Sequence, residues 1–243
     1  MLKRMKLSMI MPAYNEEKHI EEAIEEAIKA LKRIGLDYEI IVVNDGSEDE
    51  TENKVIMCKK KYQSIKLVSY NENKGKGFAI KEGFKHISGD IIFLLDTDGE
   101  ILPINLQDYF NALKSADIAI GSKWHKNSSV QAPLVRKFLS IGFYALVKLF
   151  FSIKISDTQT GFKAFRREAL EKLVRLQFAN RYVFDVELLA IANYLKLKVI
   201  ELPVHIKLNA GFSVKKILQM FLELLGVLYR LKIKKEYQKM LFK

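Results

Sequence analysis

The sequence predicts an α/β fold with a mostly parallel central sheet flanked by helices. Three observations carry this. Apolar runs alternate with amphipathic helical stripes through the first half of the chain. Most of the runs end in a turn of Pro, Asn, Asp or Gly. The run Ile91–Leu95 is continuously apolar, as in a parallel strand covered on both faces.

Leu7 to Met11 reads as the first strand, and Pro12-Ala13-Tyr14-Asn15-Glu16 turns out of it. From Ile20, apolar residues recur at 23, 24, 27, 28, 31 and 34, a helical stripe with charges opposite, and Gly35 is placed to end it. Tyr38 to Val43 is a second strand closed by Asn44-Asp45-Gly46-Ser47, followed by a helix over Glu50 to Tyr62. Ile65 to Tyr70 is a third strand and Gly77 to His86 a third helix, which leads to the run beginning at Asp90. Such alternation implies right-handed crossovers. If the first strand lies between the second and the fourth, the turns at 12–16, 45 and 96–100 line one crevice at the carboxyl ends of the strands.

The later half is less periodic. A helix is expected over Ile104 to Lys114, a short strand over Asp117 to Gly121 and a mobile polar loop over Lys123 to Ser129. Arg136 to Ile153 is rich in Phe and Leu, with Lys148 inside it. It reads either as an ordinary core helix or as a helix at a membrane interface whose basic residues meet phosphate. Asp157 to Lys163 reads as a glycine-punctuated turn, and Tyr182 to Glu187 opens a helix with two acids near its N-terminus. Val199 to Ile206 is a strand whose Pro203 suggests an edge. Val214 to about Lys235 is a long apolar and basic helix. No internal repeat or low-complexity linker divides the chain, so one domain over 1–212 with a C-terminal helical extension over 213–243 is the economical organisation.

The chemistry concentrates in Asp96-Thr97-Asp98-Gly99-Glu100. Hard divalent cations such as Mg²⁺ or Mn²⁺ take carboxylate, phosphate and water oxygens. Asp96 and Asp98 with Glu100 behind them form a candidate metal set, and a metal there could take up charge as a nucleotide diphosphate leaves. For Asp-x-Asp alone an acid-rich surface turn is the favoured reading; the apolar strand before it and the motifs elsewhere in the chain together reverse that in favour of the metal. Asn73 to Gly77 is a lysine-bearing glycine turn before a helix, and it reads equally as a phosphate contact through Lys76 or as a loop. The chain has neither a G-x-G-x-x-G after its first strand nor a G-x-x-x-x-G-K-[ST], which argues against a dinucleotide oxidoreductase and a P-loop ATPase. Of the histidines, His19 and His86 are expected on solvent-facing helix surfaces, His125 in the loop and His205 in a structural place. Trp124 would stack on a sugar or lie at an interface.

With 40 Lys+Arg against 29 Asp+Glu, the net charge of +11 points to polyanionic company, whether nucleic acid, anionic lipid or phosphorylated substrate. Cys58 is the single cysteine, so a disulfide framework is excluded and a reducing compartment is expected. The first residues lack the long apolar run of a signal peptide, and no stretch reaches the roughly 18 apolar residues of a membrane span.

Taken together and in order, Met11 to Glu16, Val43 to Ser47, Asn73 to Gly77, Asp96-Thr97-Asp98 and Gly121-Ser122-Lys123 resemble the inverting family 2 glycosyltransferases of the GT-A fold. Asp157 to Lys163, Phe184 to Leu189, Glu201 to Val204 and Gly211-Phe212-Ser213 are most similar to the dolichyl-phosphate glucosyltransferase group within them, with dolichyl-phosphate mannose synthases as the near alternative. The match covers residues 7 to about 216.

This resemblance implies a GT-A-like nucleotide-diphospho-sugar transferase that moves a hexose from UDP-glucose or GDP-mannose to a dolichyl or polyprenyl phosphate. Pro12, Tyr14, Glu16, Asp45 and Lys76 would bind the nucleotide sugar together with Asp96 and Asp98. Asp96, Asp98 and Glu100 would hold Mg²⁺ or Mn²⁺, although Glu100 stands where relatives often carry glutamine. Lys123, Arg136 and Ser140 would hold the acceptor phosphate, with Lys123 in place of an arginine and without its bidentate fork. The catalytic burden would fall on Asp96, Asp98, Lys123 and Arg136.

A phosphomonoester, with its second pKa about 6, attacks without a general base. A sugar hydroxyl acceptor is the second reading; it needs one, for which Asp185 or Glu187 are candidates. A non-catalytic basic protein bound to membrane or nucleic acid is the third reading, and it leaves the convergent acids without a purpose. Peripheral attachment to the cytoplasmic face of an anionic membrane through segments 136–153 and 214–235 is expected, with no nucleic-acid partner.

Overall fold

The computed structural model describes residues 5–151, 153–208 and 214–241. The Gly211-Phe212-Ser213 motif and the boundary expected at 212/213 lie outside them. Strands β1 (Lys6–Ala13), β2 (Asp37–Asp45), β3 (Ile65–Tyr70) and β4 (Ile91–Leu94) pair in parallel, with β1 between β2 and β4. The crevice condition is therefore met. Each strand divides its side chains between two cores by simple alternation: Met9 and Met11 of β1 point to one face and Ile10 to the other, as do Phe93 against Ile92 and Leu94 in β4.

Helices α1 (Ile20–Ile34) and α2 (Thr51–Lys61) cover the first face, and α3 (Lys76–Phe84) covers the second. The α1 stripe Ile20, Ile24, Ala27, Ile28 and Leu31 is buried, and Gly35 closes the helix with φ 76°, its N–H reaching the Lys32 carbonyl at 3.1 Å. After β4 come α4 (Leu106–Ala112), β5 (Ile118–Ser122), β6 (Ser129–Gln131) and α5 (Leu134–Phe151), then β7 (Lys163–Arg166), α6 (Arg167–Leu176) and α7 (Phe184–Tyr194). The chain continues through β8 (Val199–Pro203), β9 (His205–Lys207), α8 (Val214–Leu228), a π-helical stretch Tyr229–Lys234 and α9 (Glu236–Leu241).

Three features depart from the sequence reading. The sequence reading places no strand between the 157–163 turn and the helix opening at 182, whereas β7 inserts antiparallel between β4 and β5 and makes the sheet mixed, in the order β3-β2-β1-β4-β7-β5-β8. The expected strand 199–206 splits at Val204: β8 takes the sheet edge, and β9 leaves to pair with β6, which occupies part of the expected polar loop. Finally, α5 is not a core helix along most of its length, since only Val147 and Phe151 near its end are buried while Phe138 is 72% and Leu149 74% exposed.

At the end of the sheet opposite the crevice, the buried carboxylate of Glu39 fastens four segments. It accepts from Ser8 Oγ at 2.7 Å, Lys66 Nζ at 2.8 Å, Lys6 Nζ at 3.2 Å and Ser88 N at 2.5 Å. Burial alone would raise its pKa, but Lys66, Ser8 and Ser88 outweigh that and bring it from 4.5 to about 2. A depressed carboxylate stabilises the fold above its unfolded pKa, here by about 3 kcal/mol, and that contribution fades as pH falls from 4.5 toward 2. Glu39→Gln is therefore expected to lower the denaturant midpoint at neutral pH. The gap to the native protein should close steadily on acidification to about pH 2, followed by urea titrations across pH.

Candidate active site

The loops leaving β1 and β2 are laced together. Asn15 N donates to Ser47 Oγ at 3.0 Å, Glu48 N to Asn15 Oδ1 at 2.9 Å, and Glu16 N to Thr51 Oγ1 at 2.8 Å. Beside them opens a cleft of about 540 Å³. Pro12, Tyr14, Glu16, Asp45, Lys76, Asp96 and Asp98 all line it, so the structure gathers the whole set expected to bind a nucleotide sugar into one place. Arg181 and Tyr182 complete the wall, and nothing in the sequence pattern pointed to either.

Asp45 faces its own chain. Its carboxylate accepts from Asn73 Nδ2 at 3.0 Å and from the N–H groups of Lys74 and Gly75, both at 2.8 Å. That clasp bends the 73–75 loop over the end of β2, and Gly75 at φ 97° delivers Lys76 as the first residue of α3. Lys76 Nζ lies 2.8 Å from Asp96 and 3.0 Å from Asp185, and Lys163 Nζ lies 2.6 Å from the other oxygen of Asp185. The floor is thus a row of alternating charge: Asp96, Lys76, Asp185, Lys163.

Burial works against every charge in this row; the neighbours prevail at Asp185 and Lys76, and burial prevails at Lys163 and Asp96. Asp185 is held below the usual carboxylate range because Lys163 and Lys76 outweigh its burial, and Lys76 is raised by Asp185 and Asp96. Burial depresses Lys163. Asp96 is pushed up by burial, against the pull of Lys76, with repulsion from Asp98 and Asp185 adding to the rise. Burial also raises Asp98, and the charge of Glu100 adds to it.

Two adjacent carboxyls, both pushed up by burial where they line the cleft, have the donor chemistry that suits a hard divalent cation. Gly161 leaves no room for a side chain against Asp96, since a Cβ there would collide with its carboxylate. Thr97 Oγ1 donates to the Pro12 carbonyl at 2.9 Å and fixes the turn between the two aspartates.

Glu100 does not join them. Among the described residues no three acidic, histidine or cysteine side chains form a metal-binding group, and Glu100 instead accepts from Arg136 Nη1 at 2.9 Å. The expected Asp96, Asp98 and Glu100 trio is not gathered as a cluster, yet Glu100 stays beside Asp98: its N–H donates to Asp98 Oδ1 at 3.0 Å and its charge pushes the Asp98 carboxyl up. Gly99, at φ 71°, turns the chain between Asp98, which lines the cleft, and Glu100, which lines the neighbouring groove.

The second compartment is a groove of about 770 Å³ between α5 and α8. Lys123, Arg136, Ser140 and Glu100 line it together with apolar groups such as Phe143, Leu146 and Phe221. Lys123 Nζ lies 3.4 Å from the buried Asp157, which also accepts from the Lys123 N–H at 2.9 Å. Trp124 sits outside this groove with its ring 6.4 Å from Tyr144, and His125 caps its own loop by accepting from Asn127 N at 3.2 Å.

Other expectations change. Asp185 is locked between two lysines, and the fully buried Glu187 accepts from two backbone N–H groups and from Tyr237, so neither is placed to act as a general base. His19 is not a plain surface residue, because its Nδ1 lies 3.3 Å from Glu16 and its ring lies against Gly99 beside the cleft.

Comparison with known proteins agrees with this geometry. The profile of "Glycosyl transferase family 2" matches residues 8–174. A dolichyl-phosphate beta-glucosyltransferase of Trichomonas vaginalis is 38% identical over 211 residues, covering 82% of this chain and 65% of that protein. The enzymes of the same name from Homo sapiens and Saccharomyces cerevisiae are 36% and 31% identical, each covering 82% of this chain and 66% of theirs. The chain thus spans slightly less than two thirds of the length of these relatives. Glucosyl-3-phosphoglycerate synthase from Mycobacterium tuberculosis in complex with UDP shares the fold at a TM-score of 0.69 and 20% identity, over 93% of this chain and 79% of that one. The same enzyme with Mn²⁺, UDP-glucose and phosphoglyceric acid gives 0.68 at 20% identity, again over 93% and 79%. A mixed sheet with its acid-bearing turns on one crevice and a profile match over most of its length place the chain in glycosyl transferase family 2, with a GT-A-like fold.

Proposed function

We propose that the protein transfers glucose from UDP-glucose to dolichyl phosphate or a related polyprenyl phosphate, with inversion at the anomeric carbon, at the cytoplasmic surface of a membrane. The observation that carries this reading is the junction of the two compartments. Asp98 lines the polar cleft, and Glu100, two residues on, lines the apolar groove and holds Arg136 at 2.9 Å. A polar donor and an acceptor with an anionic head and an apolar tail would therefore meet across a single turn. Relatives named for the same reaction and a shared fold that accepts UDP-glucose favour UDP-glucose over GDP-mannose as donor.

Asp96 and Asp98 would hold a divalent cation, Mg²⁺ or Mn²⁺, which supplies Lewis-acid neutralisation of the departing diphosphate. Lys76, seated between Asp96 and Asp185, lies within reach of the same diphosphate. Arg136 and Lys123 orient the acceptor phosphate, with Ser140 beside them. Attack by a phosphate oxygen on C1 forms the new C–O bond as the bond to UDP breaks, and one displacement inverts the centre. The attacking group is ionised near neutral pH, with a second pKa of about 6, so no base is needed. A sugar hydroxyl acceptor is disfavoured, because Asp185 and Glu187 are both engaged in the interior.

The exposed apolar faces of α5 and α8, with Leu149 and Leu222 at 74% and 59% exposure, support seating on a bilayer. No helix among the described residues is long and apolar enough to cross one. Net charge of +11 adds attraction to anionic lipid. Flotation with anionic liposomes is expected at low salt and should weaken toward about 1 M salt, where screening is nearly complete. The paired change Leu149→Glu with Leu222→Glu should abolish it, and a protein that stays wholly soluble at low salt removes the membrane from the proposal.

The reaction is tested with UDP-glucose, GDP-mannose or UDP-N-acetylglucosamine, a short polyprenyl phosphate and Mn²⁺ or Mg²⁺, by counting label that partitions into organic solvent. UDP-glucose should be the donor consumed. Asp98→Asn should lose at least about a hundredfold in turnover while flotation survives. Label from GDP-mannose alone overturns the choice of donor, and label from none overturns the transferase.

A further inference from the structure

We infer that Glu187 and Tyr237 are positioning residues for the donor cleft, so that the C-terminal segment beyond α8 completes the nucleotide site from behind. The inference rests on the cleft being a nucleotide site, as proposed above. The loop 177–183, between α6 and α7, carries Arg181 and Tyr182 into that cleft. It reaches the front of the site at two further points: Arg181 donates to Asn73 Oδ1 and to the Asn73 carbonyl, both at 3.0 Å, and the Asn180 carbonyl accepts from Gly77 N at 2.8 Å in the first turn of α3. Gly77 is packed so closely there that a Cβ would strike the Ala179 carbonyl. The loop that supplies Arg181 therefore also braces the helix that presents Lys76.

The loop is in turn held from behind. Glu187, wholly buried, accepts from Phe178 N at 2.9 Å and from Ala179 N at 2.6 Å. Its other oxygen is met by the hydroxyl of Tyr237 on α9 and, at 3.5 Å, by Arg230 of the π-helical stretch. The Phe178 ring lies between these two, 5.8 Å from the Tyr237 ring and 5.4 Å from the Arg230 guanidinium. Glu223 of α8 adds a bond from Val183 N at 3.3 Å. A buried carboxylate must keep its donors, so Glu187 is satisfied only when the loop and the C-terminal segment are both seated. The helix with the exposed apolar face, α8, carries the Glu223 grip itself, and the chain that leaves it carries the grips of Arg230 and Tyr237.

Tyr237→Phe removes one donor and little volume, which makes it the informative variant. In detergent, where membrane seating plays no part, its affinity for UDP by calorimetry and its KM for UDP-glucose should worsen about five- to tenfold, with kcat nearly unchanged. Because Tyr237 would act through the loop, the effect should be non-additive with Arg181→Ala in a double-mutant cycle. If Glu187→Gln unfolds the protein, the Tyr237→Phe cycle still decides the matter. Equal UDP affinity in the native and Tyr237→Phe proteins, or strictly additive losses, overturns the inference while leaving the function intact. Absence of UDP binding by the native protein overturns the function itself.

Discussion

The site depends on one electrostatic constraint, the row Asp96, Lys76, Asp185 and Lys163 at the carboxyl ends of the central strands. Each member comes from a different element: the turn after β4, the start of α3, the start of α7 and the start of β7. The row runs from Asp96 and Lys76 at the cleft to Asp185 and Lys163 in the interior; every charge has an opposite neighbour, and deleting one of the inner pair would strand its partner at a cost of about 3–5 kcal/mol. The row therefore fixes four elements relative to one another. It also leaves Asp96 partly compensated, with its remaining capacity turned toward Asp98 and the cleft.

The insertion of β7 makes that row reachable. Lys163 pairs in register with Leu94 at the end of β4, which brings its ammonium beneath the 96–98 turn. An all-parallel sheet would have put another strand's carboxyl end there, with its backbone carbonyls and a loop, rather than a lysine arriving from the opposite direction. The antiparallel strand also brings Gly161 against Asp96, so the chain that supplies the inner cation also supplies the missing side chain that lets the two approach.

The sequence made the crevice legible and left the row hidden. Strands β1, β2 and β4 announce themselves because their alternation and apolar runs are local properties, and the turn residues at Pro12, Asp45 and Asp96 are set by those strands' ends. Lys163-Ala164-Phe165-Arg166 carries two basic residues in four, so β7 has no apolar signature even though Lys163 is buried; its identity as a strand comes from partners some 70 residues earlier and 45 residues earlier in the chain. Glu39 looks like a surface acid until Ser8, Lys66 and Ser88 converge on it. Arg181 has no motif around it, and its place in the cleft follows only from the loop that Glu187 holds. Asp185 and Glu187 were legible as acids at a helix start, but their roles depend on lysines and a tyrosine distant in sequence. Spacing alone groups Glu100 with Asp96 and Asp98; that Arg136 also holds its carboxylate depends on α5, some 36 residues further on.

The groove has its own electrostatic logic under the proposed reaction. Arg136 and Lys123 are not bare cations, because Glu100 and Asp157 already stand beside them. Asp157 is held below the usual carboxylate range by Lys123 against its own burial, so that carboxylate stays charged as an acceptor arrives. An incoming phosphomonoester, carrying about 1.5 to 2 negative charges, competes for both cations and gains from each. After transfer the same phosphate is a diester with about one charge, and the resident carboxylates, unchanged, compete better for the cations. Under the proposed reaction, the pairs Arg136–Glu100 and Lys123–Asp157 would make the grip on a lipid head weaker for product than for substrate without any movement of the fold. That is a useful property for a groove whose apolar wall would otherwise retain both equally.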